Sequence, residues 1–107
     1  MSAATLIPLC PVDEIPLGLG RSFQVGDEVI AVFRNRAGKV FAVENRCPHR
    51  GGPLADGMIV GEQVVCPLHA FRYHGESGAC DQQGICGLRT YPVQVSDGVV
   101  LLELTAD

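Results

Sequence analysis

The chain is poor in basic and in aromatic residues. It has 8 Lys and Arg against 12 Asp and Glu, a formal net charge of −4, and only 6% aromatic residues. Nucleic-acid binding needs a basic surface for the phosphates and aromatic side chains on which bases stack. Because no run of Lys or Arg is present either, we expect no nucleic-acid partner.

Long apolar segments are also missing. A helix that spans a bilayer needs about 20 consecutive apolar residues, and no segment of the 107 residues approaches that length. The first ten residues lack a basic start and contain Pro8, so they do not resemble a secretory signal peptide. We therefore expect a soluble, cytoplasmic protein without membrane association, folded as a single domain over residues 1–107.

Short strand signals dominate the chain. Segments rich in β-branched and aromatic residues alternate with turns that contain Gly, Asn and Asp, and no long segment has a period near 3.6. Such regular spacing predicts an all-β sandwich or small barrel. A helical turn is expected within residues 13–17, limited by Pro11 and Pro16. The predicted strands are residues 5–9, 19–25, 28–34, 39–43, 58–60, 63–66, 88–95 and 99–104.

Two stretches break the strand pattern, Cys47-Pro48-His49 and Cys66-Pro67-Leu68-His69, with 16 residues between His49 and Cys66. Each offers one thiolate and one imidazole and follows a predicted strand, so we expect each pair at the tip of a hairpin-like loop. Four such side chains in two matched pairs indicate a metal site.

The other cysteines are Cys10, Cys80 and Cys86. We expect them to be free thiols in a reducing compartment, with a Cys80–Cys86 disulfide as the alternative. The third histidine, His74, is expected on the surface.

Three kinds of metal centre compete for the paired ligands. Structural zinc accepts two Cys and two His, but its sites usually pair Cys with Cys and His with His. Blue copper needs two His, one Cys and an axial Met, for which Met58 is the only nearby candidate. A Rieske centre needs two Cys on one iron and two His on the other. The mixed pairs favour this iron–sulfur centre.

The pattern C-x-H, sixteen residues, C-x-x-H resembles the Rieske [2Fe–2S] domain, over about residues 4–105. The resemblance implies an all-β fold, a Rieske-type antiparallel β-sandwich with a small cluster-binding subdomain at about residues 45–75. It also implies one [2Fe–2S] cluster per chain. Cys47 and Cys66 would hold the buried iron, and His49 and His69 the iron nearer solvent.

Departures from one branch of that family predict a low potential. Membrane-bound Rieske proteins carry an extra Cys in each ligand loop, where this chain has Gly52 and Leu68. They also place a Ser where this chain has Phe71, although Tyr73 occupies the position of their second hydroxyl donor. Fewer hydrogen bonds to the cluster sulfurs lower the potential, so we expect a value of roughly −150 mV. Leu54, Leu68 and Phe71 are expected to shield the cluster from water.

The flanking sequence indicates a redox partner. Residues 47–57, 66–69 and 86–98 resemble the small subunit of assimilatory NAD(P)H-dependent nitrite reductase. That resemblance implies a large subunit with flavin, a [4Fe–4S] cluster and siroheme, which reduces nitrite to ammonium. The chain itself would carry electrons and have no catalytic residues or substrate site of its own.

Two other kinds of Rieske protein share features of this sequence. Ring-hydroxylating oxygenases need a further iron bound by two His and a carboxylate, and only His74 remains for it, so we expect the chain not to be one. The ferredoxin component of an aromatic-ring dioxygenase system, which shuttles electrons from a flavin reductase to the oxygenase, shares the fold and both ligand loops. Those ferredoxins usually have Thr or Ser where this chain has Pro48, and a Pro in a third loop, which residues 81–86 lack. This class stays open as the alternative.

Overall fold

The structure is a computed structural model, and it describes residues 4–46, 53–67, 72–80 and 87–105. These residues form ten strands and two short 3₁₀ turns, Val12–Glu14 and Leu54–Asp56. Within the described ranges, no helix is long and apolar enough to cross a membrane. The strands are β1 Ala4–Pro11, β2 Leu19–Val25, β3 Glu28–Arg34, β4 Val40–Glu44, β5 Met58–Val60, β6 Gln63–Val65, β7 Arg72–His74, β8 Thr90–Tyr91, β9 Val93–Ser96 and β10 Val99–Thr105.

The strands build three antiparallel sheets. Sheet A has the order β1-β10-β9, sheet B the order β2-β3-β4-β8, and sheet C the order β5-β6-β7. Every named strand pair is antiparallel. The predicted all-β antiparallel fold is therefore confirmed. A separate cluster-binding subdomain at about residues 45–75 stays a prediction.

Sheet B lies between two apolar cores. Along β3, Ile30 and Val32 belong to one buried cluster, while Ala31 and Phe33 belong to the other. Successive side chains of a strand point to opposite faces of the sheet, so this strand is covered on both sides. That double burial explains why its sequence is continuously apolar and does not alternate with polar residues.

Each of the two cores lies between two sheets. We call the core between sheets A and B the lower core, and the core between sheets B and C the upper core. The buried members of the lower core are Cys10, Ile15, Ile30, Val32, Ala42, Tyr91, Val100 and Leu102. Those of the upper core are Ala31, Phe33, Phe41, Val43, Leu54, Ile59, Val64, Cys66, Tyr73 and Leu88.

Most predicted strands form with small shifts at their ends, but two regions differ. The strand predicted over residues 88–95 is broken at Pro92, because proline has no N–H to donate to a ladder. The chain changes sheets there, since β8 pairs with β4 and β9 pairs with β10. The strand β7 was not predicted, and the helical turn expected within residues 13–17 is the 3₁₀ turn Val12–Glu14.

A buried asparagine fastens sheet B to sheet C. Asn35, in the turn between β3 and β4, is only 4% exposed. Its Oδ1 accepts hydrogen bonds from the amides of Ala37 (3.1 Å) and Lys39 (2.8 Å), and its Nδ2 donates to the carbonyl of Gly61 at 2.9 Å. Since Gly61 lies in the turn between β5 and β6, one side chain holds two turns of different sheets together.

Candidate metal centre

Of the four predicted ligands, Cys66 lies among the described residues. It directly follows β6, is 1% exposed, and packs in the upper core with Leu54 and Tyr73. Cys47, His49 and His69 lie outside the described residues. The described residues alone contain no group of three or more His, Cys, Asp or Glu side chains that could hold a metal ion. The complete ligand set therefore stays a prediction.

The second ligand pair falls in a hairpin connection. The strands β6 and β7 pair antiparallel, and Val65 is the register partner of Arg72. Residues 66–71 are thus the connection between two paired strands, and they include Cys66 and His69. This agrees with the expectation of a hairpin-like loop for that pair.

The first ligand pair falls in a different kind of connection. Residues 47–52 stand between β4 of sheet B and the 3₁₀ turn that leads into β5 of sheet C, so the pair does not join two strands of one sheet. The Oδ1 of Asn45 accepts a hydrogen bond from the amide of Ala55 at 2.7 Å. This bond ties the chain before the first pair to the chain after it. The expected hairpin is therefore wrong for this loop, whose described ends are nevertheless held together.

The described ends of the two loops lie side by side at one end of sheet C. Met58 is the register partner of Val65, which places the residue before β5 beside the residue after β6. A Cβ added at Gly57 would lie 2.1 Å from the carbonyl oxygen of Val65 and 3.2 Å from Cδ of Pro67. Only glycine permits so close an approach, so this residue brings the two loop ends together.

The described residues on either side of residues 81–86 also lie beside sheet C. Cys80 forms an isolated bridge with Tyr73, and the amide of Leu88 donates to the carbonyl of Gly78 at 2.7 Å. Both ends of the 81–86 segment are therefore held next to β7. Cys80 packs against the upper core, which also contains Cys66. The possible Cys80–Cys86 disulfide stays open, because Cys86 lies outside the described residues.

The surroundings of Cys66 fit an iron–sulfur cluster. Leu54 and Tyr73 are fully buried in the same core, so the sulfur lies in an apolar region from which water is excluded, as the environment of such a cluster requires. Two cysteines and two histidines are the donor set of a Rieske centre. Leu68 and Phe71, the other expected shielding residues, lie outside the described residues.

Cys10 and His74, which are not predicted ligands, lie in different environments from Cys66. Cys10 lies in the lower core as a free, buried thiol, and burial raises its pKa. A raised pKa disfavours the thiolate, which is the form that binds metals and reacts. His74 is exposed on β7, as expected.

These features define an all-β protein in which the described ends of the two predicted ligand loops lie at one end of a small sheet. This is the class of iron–sulfur proteins that the cysteine and histidine pattern predicts. The family model for the Rieske [2Fe-2S] domain matches residues 5–92, and the chain belongs to this family. A domain of this family holds one [2Fe–2S] cluster.

Curated relatives include both oxygenases and ferredoxins. The chain is 39% identical over 84 residues to the 4beta-methylsterol monooxygenase of Methylococcus capsulatus, covering 68% of this chain and 22% of that protein. It is 31% identical over 97 residues to the ferredoxin component of the 2,4-dinitrotoluene dioxygenase system of Burkholderia sp. (strain RASC), covering 86% and 88%. The chain thus spans under a quarter of the monooxygenase but most of the ferredoxin.

Solved structures with the same fold cover nearly the whole chain. A protein of Mycobacterium tuberculosis assigned as an NADH-dependent nitrite reductase small subunit has a TM-score of 0.89 at 22% identity, covering 98% of this chain and 99% of that one. At this identity the likeness concerns the fold alone. A second protein, assigned as a nitrite reductase NADPH small subunit, has a TM-score of 0.79 at 28% identity, covering 92% and 97%.

Proposed function

We propose that this chain is the small subunit of a cytoplasmic, NAD(P)H-dependent nitrite reductase, which passes single electrons during the reduction of nitrite to ammonium. The observation that carries the proposal is the 28% identity, over 92% of the chain, to a protein assigned as such a subunit. Residues 86–98 add to it, because they resemble the signature of that family. The partner is then the large subunit with flavin, [4Fe–4S] cluster and siroheme.

The proposed ligands are those that the resemblance to the Rieske domain implies. Cys47 and Cys66 would hold the inner iron, and His49 and His69 the outer one, within a single Rieske domain over residues 1–107 whose cluster-binding part is about 45–75. The bound cluster supplies one-electron transfer. The protein supplies a dry environment on the side of Cys66, where Leu54 and Tyr73 are buried. A low potential, roughly −150 mV, belongs to the proposal because few hydroxyl donors are available to the cluster sulfurs.

A second candidate is the ferredoxin component of an aromatic-ring dioxygenase system. It is favoured by the 31% identity to the Burkholderia ferredoxin over 88% of that protein's length. The residue Pro48 and the lack of proline in residues 81–86 speak against it. Both candidates use the same carrier chemistry and differ in the partner.

Reconstitution with the large subunit tests the proposal. We expect this chain to increase NADH-driven nitrite consumption by that subunit, as measured by loss of nitrite and formation of ammonium. Cys66→Ser should abolish the increase, because it removes a ligand, whereas His74→Gln on the exposed face of β7 should retain it.

A parallel assay decides between the two candidates. The chain is mixed with a dioxygenase and its flavin reductase, and NADH-driven product formation is measured. No stimulation of nitrite loss, together with stimulation of the dioxygenase, would contradict the nitrite reductase assignment and support the alternative.

A further inference from the structure

An apolar groove runs between the beginning of sheet B and the edge of sheet C. Seven large apolar side chains are strongly exposed among the described residues, and four of them, 44–49% exposed, line this groove: Leu17, Leu19, Met58 and Val60. The cavity has a volume of about 460 Å³. Clustered exposed apolar side chains mark interaction sites more often than isolated ones do.

The groove is built on fixed elements. The amide of Ile59 in β5 donates to the carbonyl of Gly18 at 3.0 Å, which joins the two walls at the floor. At the far end, Asn35 holds the β3–β4 turn against Gly61. A surface whose walls are already held in place loses little conformational freedom when a partner binds.

One charged residue lines the groove. Arg36 follows Asn35 in the β3–β4 turn, and a Cβ added at Gly18 would lie 3.7 Å from its Nε, so the guanidinium lies across this glycine. Arg36 forms no ion pair with any described residue, whereas Arg21, Arg34 and Arg89 each do. An arginine beside apolar side chains is complementary to a partner that presents a carboxylate next to an apolar residue.

The size and position of the groove fit a redox encounter. Ten residues line it, against about 20–30 per side in a stable interface, and weak electron-transfer complexes lie at the small end of the range. Its Met58 end is paired with Val65, the residue before Cys66. A partner seated there would lie next to the strand that leads into the second ligand loop.

We propose that this groove is a docking surface for the large subunit of the nitrite reductase. The large subunit inserts an apolar side chain into the groove, and a carboxylate next to that side chain pairs with Arg36. The inference rests on the proposed function for the identity of the partner.

Binding of the purified large subunit to the holoprotein, measured by calorimetry, tests it. Val60→Asp should raise the Kd about tenfold or more, because it places a charge in the apolar centre of the contact. Val95→Asp is the matched control, since Val95 is a similarly exposed valine (44% against 47%) on β9, also the edge strand of its sheet. It should leave the Kd within about twofold, well short of that tenfold change.

Arg36→Glu provides a second variant. Arg36 is exposed and lies in a turn, so we expect the substitution to leave the fold intact. It should raise the Kd about tenfold and weaken its dependence on salt, and Arg36→Lys should restore most of the affinity. Each variant should keep the visible spectrum of the cluster.

The outcomes separate the two proposals. If the wild type binds and the groove variants bind equally well, or Val95→Asp weakens binding as much as Val60→Asp, the docking surface is wrong and the proposed function stands. If the wild type does not bind the large subunit at all, the proposed function fails, and the groove fails with it as a site for that partner.

Discussion

At the scale of single residues, Asn35 shows how a polar side chain can organise an apolar structure. It is the only buried polar residue among those that the structure describes. Two of its hydrogen bonds are local and shape the β3–β4 turn, while the third reaches 26 residues along the chain to Gly61. Because a buried polar group without partners is costly, this turn is held in one position against sheet C.

Replacing Asn35 with Ala should therefore destabilise the protein. The change removes all three hydrogen bonds and leaves a small void, and we expect the free energy of unfolding to fall by about 1–3 kcal/mol. Urea denaturation measures it. Gln94→Ala, at an exposed polar position on β9, is the control and should stay within about 0.5 kcal/mol. Equal effects of the two changes would show that Asn35 does not act as a clamp.

At the scale of elements, the two-residue strand β8 depends on a side-chain contact for its position. The hydroxyl of Tyr91 donates to Glu28 at the start of β3 at 2.7 Å, and the Arg89 guanidinium lies 5.3 Å from the centre of the Tyr91 ring. Burial, and next the hydrogen bond to Glu28, raise the pKa of Tyr91 to about 12 from 10.0. The folded state thus favours the neutral phenol.

A pH dependence follows from that shift. In the unfolded chain the phenol ionises near pH 10, while in the folded protein it stays neutral until about pH 12. The contribution of Tyr91 to stability is therefore complete below pH 10 and is lost as the pH rises from 10 to 12. We expect Tyr91→Phe to lose less stability over this range than the wild type, as measured by denaturation at each pH. Parallel curves for the two proteins would contradict this origin of the shift.

The sequence pattern predicts some of the strands correctly and does not predict others. The bounds of β2, β3 and β5 are as predicted, because their apolar segments end at clear turn residues. The strand β7 was missed since three residues with only Tyr73 buried give too short a pattern, and its pairing with β6 is a tertiary matter. The change of sheet at Pro92 could not be predicted either, because it depends on β8 pairing with β4 and β9 pairing with β10.

For the candidate site, the spacing of cysteines and histidines predicted a Rieske centre, and the family match over residues 5–92 confirms the family. Cys66 is buried, as the resemblance implies for a ligand of the inner iron, but the ligand set itself stays a prediction. The groove beside it could not be predicted. Its apolar residues look like ordinary strand residues in the sequence, and only the pairing of β5 with β6 and the bond from Ile59 to Gly18 bring them together. Contacts between residues far apart in sequence create such surfaces, and no local pattern encodes them.

At the scale of the whole molecule, three sheets and two cores place the described ends of both predicted ligand loops at one end of sheet C. Sheet B is covered on both faces, and the upper core continues without interruption from Phe33 to Cys66. The close approach at Gly57 holds the described ends of both loops together. The rest of the fold thus supports one small region, which is the arrangement that the proposed electron-carrier function needs.

A redox titration of the purified protein, followed by EPR, tests the iron–sulfur assignment. We expect a [2Fe–2S] signal with coupling to two ligand nitrogens to appear on reduction, with a midpoint of roughly −150 mV. A protein that contains zinc and gives no signal, or a cluster signal without nitrogen coupling, would contradict the assignment of Cys47, His49, Cys66 and His69. A nitrogen-coupled signal with a midpoint well above zero would contradict the low potential.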